Sequence, residues 1–194
     1  MSEIPNYGAS LPKQYRGSSV GDIKELGIKK LFRMIVLGPS YSGKNNLCMF
    51  ILKHSPNTFS HLHIIARNKD QELYDYLRDK PEGFITFYDS PPSVDHVRRI
   101  PMNSGKPDHS YFATDKMIRL NSEYVGILKA NSKRDLQMIV KDFNIPGVTE
   151  TSIVTYYNKA TANKGQMLFI DSVRGELRYN FNKIIKVSGE SDEE

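Results

Sequence analysis

The stretch from Phe32 to Leu52, FRMIVLGPSYSGKNNLCMFIL, decides how the chain is read. Leu31 to Leu37 has the length and apolar content of a buried strand. A glycine-bounded loop follows, and then a run of helical length. Within it, Gly38-Pro39-Ser40-Tyr41-Ser42-Gly43-Lys44 fits G-x-x-x-x-G-K, a phosphate-cradling pattern. The logic is local. Gly38 and Gly43 admit backbone angles closed to other residues, so successive N–H groups can converge on phosphate oxygens. The helix behind them adds its positive end. Lys44 then sets its ammonium on the β- and γ-phosphates. The expected nucleotide contacts are Gly38, Pro39, Ser40, Tyr41, Ser42, Gly43, Lys44, Asn45 and Asn46, and the expected cofactors are ATP and Mg²⁺.

One position departs from the pattern. The residue after the lysine is normally Ser or Thr, whose hydroxyl joins the Mg²⁺ shell; here it is Asn45. An amide oxygen can ligate a hard cation, which makes Asn45 the candidate metal ligand. Its extra length moves that oxygen outward, so the motif argues for nucleotide binding more strongly than for hydrolysis. The plain alternative is a Gly/Ser turn with a surface lysine.

A chain of 194 residues suits one domain with a full core. Its hydrophobic content of 39% supports that core. The 27 Lys and Arg residues outnumber 22 Asp and Glu, an excess that suits an anionic partner such as DNA or RNA. Several of the acids sit in the tail Gly189-Glu190-Ser191-Asp192-Glu193-Glu194, so the remainder is more basic than the total. The single cysteine, Cys48, excludes an internal disulfide and reads as a small buried hydrophobe. Its apolar run is too short to span a bilayer, and no signal peptide opens the chain. The expectation is a reducing, nucleotide-containing compartment and no membrane partner.

The organisation reads as a flexible arm (1–22), a domain (23–187) and an acidic tail (188–194). Ile23 to Lys30 is expected to form a short helical lead-in. Ser42 or Gly43 starts a helix to about His54. Leu62 to Ala66 is a second strand. Asp70 caps a helix over Gln71 to Asp79, and Phe84 to Tyr88 is a third strand. This alternation predicts a mostly parallel sheet flanked by crossover helices. Regularity stops over 89–110, where Pro91, Pro92, Pro101, Gly105 and Pro107 interrupt the chain. It resumes with a helical turn before Leu120 and a strand from Tyr124 to Leu128. Ser132 caps a helix to about Phe143, with Leu136, Ile139 and Val140 inward. Thr149 caps another to about Ala160, with Ile153, Tyr156 and Tyr157 as its apolar stripe. Gln166 to Asp171 and Glu176 to Phe181 form a C-terminal β-hairpin.

The order of several segments resembles a known family. The phosphate loop after FRMIVL is followed by Ser110-Tyr111-Phe112, then by IRLNSEY from Ile118 to Tyr124. Next come Ser132-Lys133-Arg134-Asp135-Leu136 and the hairpin MLFID (Met167–Asp171) with LRYNF (Leu177–Phe181). Together they resemble the genome-packaging ATPases of large DNA viruses and Polinton-type transposons, within the HerA/FtsK superfamily, over roughly residues 30–186. The resemblance implies a P-loop NTPase fold, a homo-oligomeric ring and ATP-driven translocation of double-stranded DNA. It implies an intracellular setting, in host cytoplasm or nucleus at a virion-assembly site. It also implies that Lys44 and Arg119 act catalytically, Arg119 by neutralising γ-phosphate charge across a subunit boundary. A structural ion pair is the alternative for Arg119.

The family's acidic strand-end motif should fall before Ser110, and nothing between Asp89 and His109 has that form. The family has a glutamine where this chain has His109. Asp89 and Asp171 each end an apolar strand and are the substitutes to weigh, against plain turn roles. Arg98, Arg99, Lys129, Lys133 and Arg134 are candidate DNA-backbone contacts. Without the acidic motif, hydrolysis is expected to be impaired. Two rival readings stay open: a non-catalytic nucleotide- or DNA-binding fragment of such a motor, and a small P-loop nucleotide kinase.

Overall fold

A computed structural model describes residues 12, 21–59, 61–66, 70–79, 85–88, 116–129 and 132–187. Most of the expected arm, the segment 89–110 and the tail 188–194 lie outside the described residues. So do Asp89, Arg98, Arg99 and His109.

Ile23 to Lys30 is not a helical turn. It is a hairpin in which β1 (Asp22–Ile23) pairs antiparallel with β2 (Ile28–Lys29). Ile23, Leu26 and Ile28 are buried, and that apolar spacing suits either a helical turn or a tight hairpin. Gly27 decides it: at φ +61° it turns the chain back and donates its N–H to Ile23 O at 2.8 Å.

Then come β3 (Met34–Leu37), α1 (Lys44–Lys53), β4 (Leu62–Ile65), α2 (Glu72–Arg78) and β5 (Ile85–Tyr88). The chain continues with α3 (Lys116–Leu120), β6 (Tyr124–Leu128), α4 (Lys133–Phe143) and α5 (Ser152–Ala160). It closes with β7 (Met167–Asp171), β8 (Glu176–Tyr179) and β9 (Lys183–Ile184). Ser132 caps α4, accepting from Asp135 N at 3.1 Å. The N-cap of α5 is Thr151 rather than Thr149, although Thr149 Oγ1 still accepts from Ser152 N at 3.0 Å.

Strand pairing overturns the mostly parallel sheet of a P-loop NTPase. Among the described residues the main sheet has the order β3-β6-β7-β8-β9, and within it only β3 and β6 run parallel. The pairs β6–β7, β7–β8 and β8–β9 are antiparallel. The β4–β5 pair is parallel but forms a sheet of its own. The physical reason is that a strand–helix–strand rhythm permits parallel pairing without choosing neighbours. The tight turn over residues 172–175 forces β7 and β8 antiparallel, and β7 then docks on β6. Because β4–β5 does not join β3, an apolar groove of about 390 Å³ opens between them, lined in part by Met34, Val36, Cys48, Ile64 and Leu73. Cys48 is therefore exposed, not the buried hydrophobe expected.

Every residue of β6 and β7 is buried. Alternation sends successive side chains of β3, β6 and β7 to opposite faces. On one face Ile35, Leu37, Val125, Ile127, Leu168 and Ile170 pack with α4 and α5 through Leu136, Ile139, Ile153 and Tyr157. On the other, Tyr124, Leu128, Met167 and Phe169 pack with Ile51 of α1 and with Leu26 and Ile28. A Cβ at Gly126 would lie 3.1 Å from Met167 Sδ and 3.6 Å from Leu47 Cδ2, so this glycine lets α1 approach β6.

Ion pairs tie distant segments together. Asp171 is fully buried and receives Arg178 Nη2 at 2.5 Å and Arg174 Nη1 at 2.8 Å. Arg174 also reaches Asp22 at 2.7 Å, which clamps β1–β2 onto the β7–β8 hairpin. Elsewhere Glu123 accepts from Arg33 Nη2 at 2.6 Å and from Arg33 N at 2.7 Å. The side-chain hydrogen bond from Arg33 holds the Glu123 carboxyl below the usual range, outweighing the opposing effect of burial. A lowered folded pKa means that this contribution is complete above the ordinary glutamate value, about 4.3, and vanishes as pH falls through the folded value. Glu123→Gln is therefore expected to be less stable than wild type at neutral pH, with the two curves converging in acid. Urea unfolding from pH 7 to pH 3 measures this; parallel curves would refute it.

Candidate functional site

β3 and β6 pair with Leu37 opposite Ile127, so their carboxyl ends open on one edge of the sheet. That edge is where open α/β sheets hold ligands. Residues 38–43 cross it and lead into α1. Gly43 sits at the N-cap with φ +101°, a conformation open to glycine, and the helix starts at Lys44. Gly38 is required for space: a Cβ there would lie 2.3 Å from Ser42 Oγ and 3.1 Å from Leu128 Cβ. Tyr41, at φ +64°, is 96% exposed.

The loop folds around its lysine. Lys44 Nζ donates to Gly38 O at 2.6 Å and to Pro39 O at 2.7 Å. Burial pulls the Lys44 pKa below that of an ordinary lysine. Ser42 Oγ is buried and has no hydrogen-bond partner among the described residues. The first turn of α1 holds no acidic residue, so nothing on the helix itself neutralises its positive end. An ammonium, an orphan hydroxyl and unopposed helix N–H groups at one place form a set of donors with anion-binding character. These residues fit a polyphosphate.

Asn45, the expected metal ligand, is tied to a neighbour. Asn45 Nδ2 donates to Gln71 Oε1, a close contact between the first turn of α1 and the start of α2. Gln71, not Asp70, is the N-cap residue of α2, and its side chain makes no cap hydrogen bond there. Sequence reading passed over Gln71, because nothing local couples position 45 to position 71. Among the described residues no cluster of three or more His, Cys, Asp and Glu could hold a metal. Asn45, through its amide oxygen, is the residue of this loop that would offer Mg²⁺ a ligand.

The other candidates fall elsewhere. Tyr124 pairs with Asp171, which places Asp171 at the amino end of β6, the edge opposite the loop. It is not a strand-end acid for this site. Arg119 lies just before β6 at that same far edge, with Arg119 Nη1 3.2 Å from Asp142 and both side chains largely buried. The ion-pair alternative thus describes its own-chain role. Lys129 directly follows β6 on the loop's edge, and Lys129, Lys133 and Arg134 are exposed. No helix among the described residues is long and apolar enough to cross a membrane.

Gly38→Ala tests the loop's packing. The added methyl must displace Ser42 Oγ, so a loss of about 1–3 kcal/mol is expected, measured by thermal unfolding. Gly38→Ala with Ser42→Gly is expected to recover most of it. Comparison of the chain with protein-family models, curated proteins and solved structures returned no match.

Proposed function

We propose that the chain binds ATP through residues 38–46 and turns it over slowly. The observation that carries this reading is Lys44: its ammonium is held inside a glycine-bounded loop, at the unopposed end of α1. Mg²⁺ bound with the nucleotide would take Asn45 Oδ1 as its ligand from this loop and would neutralise phosphate charge. Slow turnover follows from the acidic strand-end motif that the sequence before Ser110 lacks. Asp171 is committed to a buried ion pair at the far edge. Missing groups of this kind lower phosphoryl-transfer rates by several powers of ten.

Calorimetry with ATP and Mg²⁺ is expected to give saturable binding. Phosphate release is expected well below the roughly 1–100 s⁻¹ typical of kinases. No heat of association at millimolar ATP with a folded sample would reject the reading. Rapid release abolished by a Lys44 substitution would reject the slow-turnover part.

The wider reading is a DNA-packaging motor subunit, or its non-catalytic fragment. Exposed Lys129 and Lys133 near the loop's edge support backbone contact with double-stranded DNA. Binding should then weaken linearly in log–log form with salt, by about 0.9 per phosphate contacted. Phosphate transfer to a nucleoside monophosphate would favour the kinase reading instead.

A further inference from the structure

We infer that Gln71 is a positioning residue for cation-linked nucleotide binding: it fixes the Asn45 amide so that Asn45 Oδ1 is the atom presented to a divalent cation. The inference rests on the ATP-binding reading above and deepens it.

An asparagine side chain has one acceptor oxygen and one donor nitrogen. Asn45 Nδ2 is committed to Gln71 Oε1. That leaves Oδ1, which accepts no hydrogen bond among the described residues. The nitrogen cannot ligate a cation and the oxygen can. Which of them meets the cation is decided by the partner on the other side.

The position of Gln71 makes the arrangement specific. It occupies the N-cap of α2 with φ −131° and ψ 134°, where a side chain ordinarily serves its own helix. Its side chain makes no such bond, and reaches Asn45 on α1 instead. Donation from Nδ2 also draws electron density toward Oδ1 and makes it a better ligand, as outer-shell partners do for first-shell ligands. The longer asparagine, where Ser or Thr is usual, thus comes with a restraint that a shorter hydroxyl would not need.

The test compares ATP affinity measured with MgCl₂ and with EDTA, for wild type, Gln71→Leu and Gln71→Glu. Circular dichroism melts establish that each variant is folded. Wild type is expected to bind ATP more tightly with Mg²⁺. Gln71→Leu should lose about tenfold or more of that enhancement ratio. Gln71→Glu can only accept, so it enforces the same Asn45 orientation and should keep the ratio or raise it. Should Gln71→Leu not fold, Asn45→Ala replaces it and should show the same loss. An undiminished ratio in Gln71→Leu, or a collapsed ratio in Gln71→Glu, would overturn the assignment. A wild-type affinity indifferent to Mg²⁺ would overturn it too, leaving ATP binding intact. Absence of ATP binding in both media would remove the underlying reading as well.

Discussion

Asp171→Ala is expected to lower unfolding free energy by about 3 kcal/mol, at the low end of the range for breaking a buried ion pair. Asp171 is 0% exposed and Arg178 5%. Removing the carboxylate takes the most deeply buried partner from the Arg178 guanidinium and loosens Arg174, which links Asp22 to the hairpin. The loss is limited because Arg178 keeps Glu176 Oε1 and the carbonyls of Gly27 and Phe181. For a chain of this size the melting temperature should fall by about 6–12 °C. Replacing both partners, as in Asp171→Leu with Arg178→Met, should recover much of the stability. ATP affinity of the folded variant should not change, because Asp171 sits at the edge opposite the loop. A variant of unchanged stability that had lost nucleotide binding would show that Asp171 serves the site after all.

Lys44→Ala is expected to weaken ATP binding by about 10–150-fold, the equivalent of one charged hydrogen bond of about 1.5–3 kcal/mol. In the free protein the ammonium is satisfied by Gly38 O and Pro39 O. A polyphosphate would compete for it and favour the charged form that burial disfavours. The effect on folding should be smaller than that of Asp171→Ala, since what is lost is a donor to two backbone carbonyls rather than one half of a buried ion pair. Lys44→Arg should not rescue affinity, because a planar fork cannot replace a compact ammonium there. Calorimetry with ATP and thermal melts together separate the two effects. Equal affinity in Lys44→Ala and wild type would refute the role assigned to the lysine.

The glycine-bounded loop between β3 and α1 was legible in the sequence because it depends on neighbours in the chain. Gly43 at φ +101° and Gly38, where a Cβ would meet the Ser42 side chain, are constraints set within six residues. The buried runs of β6 and β7, the Ser132 cap and the stripe of Ile153, Tyr156 and Tyr157 were legible for the same reason. The β1–β2 hairpin was not. There apolar spacing fits two local structures, and a single left-handed glycine chooses between them.

Sequence by itself set where the chain turns, which segments are apolar on one face, and where a glycine-bounded loop joins strand to helix. These are matters of backbone angle and periodicity, decided over a few residues. Tertiary structure alone decided which strands are neighbours, that Asp171 and Arg119 lie away from the loop, and that Gln71 meets Asn45. Those outcomes depend on competing ways of burying the same apolar surface, and no short window of sequence carries that comparison.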